Sequence, residues 1–516
     1  MIAGDLLGMR ARLTPSRTAF ISVVDDARYT YAEANERATR CALLWQALEL
    51  QPGDRVGILA RNRIEYVDAF FAAGKSGIIL VPLNYRLSPA EIESIARDAG
   101  LSAIMYEADF AHMLAPTRAA GIVKHWIALD QASADDLSYR EGCEQHAADK
   151  LAPHDAMPED VYCILYTSGT TGVPKGVMIP HRQVMWNAYN TAICWELTSS
   201  DVAPVLLPMC HAGGLFVFMA PLIAAGGTLA IHRSVDVGEI LHCISQYAYT
   251  VVMAVPTIYK GMLEHAGFAA ADLSHIRWMI SGGAPLPIYL IEAYQQRGVT
   301  FKQGYGLTEV GVNCFAMSEH VSRNKLGSVG TPFLFTEARL MTADGRRCAA
   351  GEIGELQLRG PHVCLGYWRN PTATAAVLDA QGWFHTGDQA WCDEDDCFYI
   401  AGRSKDMFIS GGMNVYPAEI ENALLLNPAV QEVAVVAVPH PKWGETGVAF
   451  VVLRHGLELS RDSLQATLIE KIARYKLPSD YIFVDELPRN ALGKVVKPTL
   501  QKLYAEQFAA RSQSNS

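Results

Sequence analysis

The sequence lacks the cysteine patterns of a disulfide-stabilised or metal-binding protein. Its 11 cysteines are scattered along 516 residues, with no Cys-x-x-Cys pair and no metal-ligand spacing. Cys392 and Cys397 are the closest two. This pattern indicates reduced thiols, in the core or on the surface, and predicts a cytoplasmic protein.

Basic clusters and uninterrupted apolar segments are also missing. The formal net charge is −11 and lysines and arginines form no run, which argues against nucleic-acid binding. The longest segment without Asp, Glu, Lys or Arg, residues 202–231, contains three prolines and Gly-Gly pairs. We therefore expect a buried segment there and no membrane span. No secretory signal pattern opens the sequence.

The composition is typical of a globular α/β protein. Half of the residues are apolar and 19% are charged, and the length predicts roughly two to four domains. Strands are predicted at 55–59 and 78–83 and a helix at 64–73. Capping boxes at Thr30 and Ser88, each with a glutamate three positions later, predict two further helices, the first ending at about residue 50. This alternation predicts a large N-terminal α/β domain of βαβ-type sheets packed with helices.

Residues 166–177 follow an apolar, β-prone run at 161–165 and are rich in glycine and hydroxyl residues. Four hydroxyl residues, three glycines and Lys175 fall within eleven positions. Glycines let backbone N–H groups point inward as an anion-binding nest, and hydroxyls and a lysine add donors. Pro174 excludes a Walker A loop. The alternative is a flexible linker, but the preceding strand and the Pro-Lys-Gly ending favour a polyphosphate loop.

This stretch resembles the signature loop of the adenylate-forming superfamily, which comprises acyl-CoA synthetases, luciferases and the adenylation domains of peptide synthetases. The resemblance implies that ATP activates a carboxylate as an acyl-adenylate. It also implies ATP contacts from the following loop residues: Thr167, Ser168, Gly169, Thr170, Thr171 and Lys175.

Two further segments resemble the nucleotide-binding motifs of this superfamily. A strand predicted at 276–280 leads into a small-residue segment, and an aromatic, a hydroxyl and a carboxylate follow within residues 304–309. By itself the first segment is typical of an ordinary tight turn. The resemblance implies that Glu309 binds Mg²⁺ and that the nucleotide contacts Gly282, Gly283, Ala284, Pro285, Tyr305, Gly306 and Thr308.

Residues 382–388 and 399–406 resemble the ribose and hinge motifs. Asp388 is assigned to the ribose hydroxyls, although an Asp after a Gly is often only a turn cap. Ile400 and Arg403 join the nucleotide site, and Lys405 is the implied pivot between domains. The resemblance thus predicts a large domain at 1–403 and a small, mobile α+β domain at 404–516.

The acyl substrate is expected near His211. From the residues alone a satisfied core histidine is the better interpretation, whereas the resemblance places His211 at the pocket entrance. Residues 202–231 and 310–317 contain no Asp, Glu, Lys or Arg, so a charged tail would lack a partner. An apolar tail is therefore predicted, in a pocket formed by His211, Gly213, Phe216, Gly282, Gly306 and Val310.

The small domain is predicted to contain a helix from Pro417 to about residue 426 and a strand at 433–438. It also supplies the remaining predicted groups. Residues 488–494 resemble the catalytic-lysine segment, although a lysine near an exposed end is normally only solvated. The catalytic set implied is Lys494, Thr170, Glu309 and His211, with Lys494 also contacting the nucleotide. Coenzyme A is expected to contact Gly411, Gly412, Trp443, Arg86 and Lys476.

Together these motifs predict an ATP-dependent, Mg²⁺-requiring acyl-CoA ligase that acts on a fatty or aromatic acid and releases AMP and pyrophosphate. A stand-alone enzyme that loads a carrier protein is the alternative. No aspartate follows His211 to meet a substrate amine, which disfavours amino acids. A catalytically silent nucleotide-binding module is a third hypothesis, and a homodimer is left open.

Overall fold

A computed structural model describes residues 4–133, 135–148, 151–152, 154–167, 174–284, 286–403, 406–410, 413–469, 471–490 and 494–514. We call the described residues up to 403 the large lobe and those from 406 onward the small lobe. The predicted boundary at 403/404 stays a prediction, because residues 404 and 405 lie outside the described residues.

The strands are β1 (Thr18–Ser22), β2 (Ala27–Thr30), β3 (Arg55–Leu59), β4 (Ile79–Pro82), β5 (Ala103–Tyr106), β6 (His125–Ala128), β7 (Leu137–Ser138), β8 (Val161–Thr167), β9 (Lys175–Pro180), β10 (Val202–Val205), β11 (Thr228–Ile231), β12 (Val251–Ala254), β13 (Trp278–Ser281), β14 (Phe301–Gln303), β15 (Phe315–Ala316), β16 (Ser328–Pro332), β17 (Glu337–Met341), β18 (Gly354–Arg359), β19 (Phe384–Cys392), β20 (Phe398–Arg403), β21 (Phe408–Ser410), β22 (Met413–Val415), β23 (Val430–His440), β24 (Gly444–Leu453) and β25 (Asp480–Phe483).

The helices are α1 (Leu6–Leu13), α2 (Tyr31–Ala47), α3 (Ile64–Ser76), α4 (Pro89–Ala99), α5 (Ala115–Ala119), α6 (Tyr139–Glu144), α7 (His181–Cys194), α8 (Ala212–Phe216), α9 (Met219–Ala225), α10 (Val237–Gln246), α11 (Pro256–Glu264), α12 (Ile288–Gln296), α13 (Glu319–Asn324), α14 (Pro371–Ala375), α15 (Pro417–Leu425), α16 (Arg461–Ile469) and α17 (Lys497–Ser514). Among the described residues, none of these helices has the length and hydropathy needed to cross a membrane.

The first part of the large lobe has the predicted βαβ organisation. Its sheet has the order β7-β6-β5-β3-β4-β8-β9 and is parallel except for the β8–β9 pair. Local sequence signals set the helix starts, because Thr30 and Ser88 both form capping boxes, with Glu33 and Glu91 respectively. Gly100 ends α4 in the left-handed conformation.

Two smaller sheets continue the large lobe. One has the order β10-β11-β1-β2, and the other is the parallel sheet β12-β13-β14. The strand predicted at 276–280 is observed as β13, two residues later at its start. The uncharged segment 202–231 forms β10, α8, α9 and β11, and most of it is buried.

The βαβ pattern does not extend to residues 315–403. There the strands form an antiparallel sheet with the order β15-β16-β20-β19-β18-β17. Its strands are joined by turns and by the short helices α13 and α14. The reason is physical: antiparallel neighbours can be joined by short connections, whereas parallel neighbours need a crossover.

The small lobe has one sheet with its own two apolar clusters. The order is β22-β21-β24-β23, and β25 pairs in parallel with β24. On one face α15 and α16 cover a cluster that includes Phe408, Leu424 and Leu468. On the other face Leu500 of α17 packs with Phe450 and Val436. An α+β lobe with a separate core is thus confirmed.

Candidate active site

The predicted phosphate loop connects two antiparallel neighbouring strands, β8 and β9. Thr167 at the end of β8 lies opposite Lys175 at the start of β9, and the Thr167 hydroxyl donates to the Lys175 carbonyl oxygen at 3.5 Å. Both residues therefore belong to the sheet, not to the loop. The predicted contacts Ser168, Gly169, Thr170 and Thr171 lie outside the described residues, and their roles stay predictions.

The predicted adenine segments meet at the carboxyl ends of β13 and β14. These strands are parallel neighbours, and the Gly304 N–H donates to the Ser281 carbonyl oxygen at 2.7 Å. A Cβ on Gly282 would lie 3.5 Å from the Gly304 carbonyl oxygen, and one on Gly306 would clash with the Val312 carbonyl oxygen at 2.4 Å. Gly283 has a φ of +80°. Glycine is therefore required at 306 by the close approach and at 283 by its left-handed backbone, whereas the contact at Gly282 is an ordinary one. Pro285 lies outside the described residues, whereas Ala284 is exposed beside them.

The predicted ribose carboxylate lies between an aromatic and a cation. The Tyr305 hydroxyl donates to Asp388 Oδ2 at 2.6 Å, and Arg403 Nε lies 3.2 Å from Asp388 Oδ1. Asp388 of β19 and Arg403 of β20 are also paired directly across these two antiparallel strands. Ile400 lies on β20 as well. Burial raises the pKa of Asp388, and Arg403 and the Tyr305 hydroxyl lower it in part.

Glu309 lies in the short 3₁₀ turn Thr308–Val310, close to Lys175. The Tyr367 hydroxyl donates to Glu309 Oε1 at 3.0 Å, and the Lys175 Nζ lies 5.1 Å from the centre of the same tyrosine ring. Burial raises the pKa of Glu309, and the positive charges of Arg403 and Lys494 are among the groups that lower it.

The donor set around Glu309 fits Mg²⁺. Proteins commonly bind this ion through one or two carboxylates together with substrate phosphates. Glu309 provides one carboxylate on the phosphate side of the site. No group of three or more His, Cys, Asp or Glu side chains that could enclose a metal is found in the described part of the chain. The arrangement is thus of the kind that needs phosphate oxygens to complete it.

His211 is a neutral imidazole at the start of α8. Burial, with further contributions from the charges of Arg86 and Lys494, lowers its pKa to about 4. Its Nε2 is buried and has no hydrogen-bond partner among the residues that the structure describes. It is therefore not the satisfied core histidine that the residues alone favoured, because one ring nitrogen remains available to a ligand.

Lys494 brings the small lobe to this site. Its side chain is exposed, yet its charge lowers the pKa of Asp388, Glu309 and His211 in the large lobe. The Lys494 N–H donates to Asn490 Oδ1 at 3.0 Å, which fixes the base of its turn. Four groups predicted from widely separated motifs are therefore brought together.

A small enclosed cavity lies beside the His211 loop and behind the Glu309 turn. It has room for about one water molecule. The Oδ1 of Asn187 and the Oε1 of Gln183 are buried without partners among the described residues, while their amide nitrogens donate to the carbonyl oxygens of Phe216 and Thr308. In the part of the chain that the structure describes, no ionisable side chain lines the cavity: the lining residues are Ile179, Gln183, Val184, Asn187, Ala212, Phe216, Thr308, Gly311 and Val312.

Of the predicted acyl-pocket residues, only Phe216 lines this cavity directly. His211 and Gly213 flank Ala212, and Val310 flanks Gly311, so these three adjoin the lining. Gly282 and Gly306 lie at the adenine edge described above. The pocket as a whole stays a prediction.

The predicted CoA contacts are divided between the lobes. Arg86 is exposed and close enough to His211 to lower its pKa. Trp443 is 46% exposed and contacts Lys442, whose Nζ lies 4.5 Å from the ring centre, and Lys476 pairs with Glu419. These small-lobe contacts lie within that lobe. Gly411, Gly412 and the predicted hinge Lys405 lie outside the described residues.

Sequence reasoning missed two groups that support the site. Tyr367 lies 58 positions from Glu309. Trp368, the residue next to it, gives no local sign of a phosphate site. Gln183 donates to the Thr308 carbonyl oxygen across 125 positions. Neither contact follows from a local pattern, because each depends on how distant segments pack.

The arrangement can hold a nucleotide with charge balanced at both ends. Asp388, with Tyr305 and Arg403, lies on the predicted sugar side. Lys175 and Glu309 lie on the predicted phosphate side. Lys494 can complete the charge balance between them, and the neutral His211 lies next to the uncharged cavity. Such a set of fixed donors and charges is suited to phosphoryl or nucleotidyl transfer to a carboxylate.

Comparisons with known proteins agree with this assignment. The AMP-binding enzyme model matches residues 8–368, and the AMP-binding enzyme C-terminal domain model matches residues 419–494. A feruloyl-CoA synthase of Amycolatopsis sp is 38% identical over 496 residues, covering 96% of this chain and 97% of the relative. The long-chain-fatty-acid–CoA ligase FadD13 of Mycobacterium tuberculosis is 36% identical over 507 residues, covering 97% and 98%.

A solved structure is similar over nearly the whole chain. The o-succinylbenzoate CoA synthetase MenE of Bacillus subtilis, in complex with the acyl-adenylate intermediate OSB-AMP, superposes with a TM-score of 0.86 and 31% identity, covering 96% of this chain and 98% of that one. The chain therefore belongs to the AMP-binding enzyme family, among the acyl-CoA ligases of the adenylate-forming superfamily.

Proposed function

We propose that this ligase uses ATP to activate a carboxylic acid with an uncharged tail, fatty or aromatic, and then forms the CoA thioester. The observation that carries the proposal is the position of Lys494. A cation from the small lobe acts on Glu309, Asp388 and His211 of the large lobe at the same time. A cation in this position supports charge neutralisation at a developing acyl-adenylate.

In the first half-reaction the substrate carboxylate attacks the α-phosphorus of ATP and pyrophosphate leaves. The Lys494 ammonium is proposed to hold a carboxylate oxygen against the phosphate, and donors of this kind contribute roughly 10²–10³ in rate. Thr170 and Lys175 are proposed to hold the β- and γ-phosphates. Asp388 holds the ribose hydroxyls. Its two oxygens already contact the Tyr305 hydroxyl and Arg403, so they must bind the ribose in addition to these partners.

Two groups of the large lobe, His211 and Glu309, are proposed to limit the net charge around the reacting carboxylate and phosphates. His211 is uncharged at neutral pH, so it can donate or accept one hydrogen bond near the carboxylate without forming an ion pair with it. Glu309 is proposed to hold Mg²⁺, and a bound Mg²⁺ would supply neutralisation of the phosphate charge.

The second half-reaction requires Lys494 to withdraw. A rotation of the small lobe at Lys405 would remove Lys494 and bring Gly411, Gly412 and Trp443 toward the cleft. The thiol of CoA then attacks the acyl carbonyl, and AMP leaves. Arg86 and Lys476 are proposed to meet CoA phosphates, and Lys476 would first have to release Glu419.

The uncharged segments around His211 support the substrate assignment, and the cavity that they adjoin, with room for about one water molecule, holds at most a small group of the tail. Burying an ionised carboxylate there, without a cationic partner, would be strongly unfavourable. The unpaired oxygens of Asn187 and Gln183 accept hydrogen bonds, so a neutral hydroxyl group on the tail is compatible with the cavity. The named relatives feruloyl-CoA synthase and long-chain-fatty-acid–CoA ligase indicate aromatic and fatty acids respectively.

The test measures AMP and pyrophosphate release across fatty acids and aryl acids, with CoA and, separately, with a phosphopantetheinyl carrier protein. Hexanoate and adipate form a matched pair because they have the same chain length and differ by one terminal carboxylate. We expect kcat/KM for adipate, and for malonate, to be at least about a hundredfold below that for the preferred acid.

Each outcome decides between stated alternatives. Efficient malonate or adipate turnover would contradict the uncharged pocket. Thioester formation on the carrier protein and not on CoA would show that the thiol substrate is the carrier protein. Absence of AMP formation with every acid would favour a silent nucleotide-binding module.

A further inference from the structure

The segment 364–368 joins the two phosphate-side groups through its backbone. The Cys364 N–H donates to the Glu309 carbonyl oxygen at 2.7 Å. The Trp368 N–H donates to the Gly176 carbonyl oxygen at 2.7 Å, next to Lys175, and Tyr367 forms an isolated antiparallel bridge with Val177. One short segment therefore fixes both the Glu309 turn and the start of β9.

The side chain of Tyr367 continues this connection. It is 8% exposed, so its hydroxyl has little access to water. That hydroxyl donates to Glu309 Oε1, and the face of the ring receives the Lys175 ammonium 5.1 Å from its centre. The buried side chain of Tyr367 thus contacts both Glu309 and Lys175, which belong to motifs 134 positions apart in the sequence.

We propose that Tyr367 is a positioning residue that holds the Glu309 carboxylate and the Lys175 ammonium in place for the metal-bound triphosphate. This inference rests on the proposed function of Glu309 and Lys175. Its physical basis is preorganisation: a carboxylate fixed by a hydrogen bond and a lysine fixed over a ring lose less freedom when the ligand binds.

Two features argue for positioning instead of packing alone. Packing would require only the ring, yet the hydroxyl is directed at the one carboxylate of the turn. The Tyr367 N–H also donates to Thr374 Oγ1 at 2.9 Å, so the backbone orientation is fixed independently of the hydroxyl. Replacing Tyr by Phe should therefore remove one contact and keep the ring, the backbone and the Lys175 interaction.

The test measures ATP binding by calorimetry without the carboxylic acid, first with Mg²⁺ and then with EDTA. For Tyr367→Phe we expect the Kd to rise about tenfold with Mg²⁺ and to stay unchanged in EDTA. For Tyr367→Leu we expect weaker binding in EDTA as well, because Lys175 loses the ring. Tyr294→Phe is the matched control, since its buried hydroxyl donates to the Tyr259 carbonyl oxygen at 2.8 Å, outside the site.

A double-mutant cycle with Glu309→Gln checks the route. If the Tyr367 hydroxyl acts through the carboxylate, adding Tyr367→Phe to Glu309→Gln should weaken Mg²⁺-dependent binding by less than twofold. An equal loss with Mg²⁺ and with EDTA, or full additivity in the cycle, overturns the positioning role and indicates general packing.

The failure of this inference is distinguishable from failure of the proposed function. If the wild-type protein binds no ATP under either condition, both the proposed function and the inference that depends on it are overturned. If the wild type binds Mg²⁺ and ATP, and Tyr367→Phe binds them with the same Kd, only the positioning role is overturned.

Discussion

The two lobes treat their charged groups in opposite ways. In the large lobe, burial lowers the pKa of His181, His211 and His362 to about 4 and raises that of Glu309 and Asp388. In the small lobe the charged side chains form partly exposed ion pairs, such as Lys476–Glu419, and Arg454 forms one with Glu264 of the large lobe.

This difference separates a fixed site from a movable one. Buried groups hold their protonation states through the surrounding core, which cannot rearrange cheaply. Exposed ion pairs contribute only about 0–1 kcal/mol each, so a lobe held by them can leave at little cost. In the proposed function, the large lobe contributes the preorganised nucleotide site, and the small lobe contributes one cation that can be withdrawn.

Removing that cation should produce the largest effect. Lys494→Ala is expected to reduce acyl-adenylate formation by at least about 10²–10³-fold. Thioester formation from supplied acyl-adenylate should stay largely intact, because Lys494 has by then withdrawn. Pyrophosphate release and thioester formation are measured separately. Lys502→Ala, an 80% exposed lysine of the same lobe, is the control, and equal loss of both half-reactions would contradict the assigned role.

Acidification should selectively weaken the large lobe. A histidine with an ordinary pKa near 6.5 when unfolded and about 4 when folded binds fewer protons in the folded state between these values. The contribution of keeping such a histidine neutral to the free energy of unfolding is therefore complete above pH 6.5, and it is lost as the pH drops toward 4. The expected loss is about 1.4 kcal/mol per pH unit for each such histidine.

Urea unfolding from pH 7 to pH 4.5 measures this dependence. His181→Asn keeps an acceptor for the Gly4 N–H, which lies 3.0 Å from His181 Nδ1, and should flatten the curve. The exposed His320 provides the control, because His320→Asn should leave the curve as it is. A wild-type curve that is level between pH 6.5 and 4.5 would show that these histidines are not held neutral.

The contact between lobes should give the smallest effect. Arg454 Nη1 lies 2.7 Å from Glu264 Oε1, and Lys260 donates to the Gln431 carbonyl oxygen at 3.3 Å. We expect Arg454→Glu to slow acyl-adenylate formation about two- to fivefold at low salt, since an exposed pair contributes little. The double variant Arg454→Glu with Glu264→Arg should restore the rate, and failure to restore it would exclude this pair as a contact that favours the first half-reaction.

Much of the local structure was predictable from the sequence. The capping boxes at Thr30 and Ser88 and the strand at 55–59 were predicted and confirmed, because a helix start or a short buried strand depends on neighbouring residues. The small lobe's helix after Pro417 and its strand around 433–438 were also confirmed, although the strand is longer, Val430–His440.

The antiparallel sheet of residues 315–403 and the surroundings of His211 were not predictable in this way. Strand partners in that sheet are set by long-range pairing, and a lone histidine carries no local sign of whether its ring nitrogens find partners.

By itself the sequence determined the order of the motifs, the chemistry that each can perform and the uncharged character of residues 202–231. Only the tertiary structure decided which groups meet: Lys494 with Glu309 and Asp388, and Tyr367 with Glu309 and Lys175. The physical reason is distance along the chain. Local hydrogen bonds and periodicity act over a few residues, whereas charge balance in a nucleotide site is assembled from segments that only packing brings together.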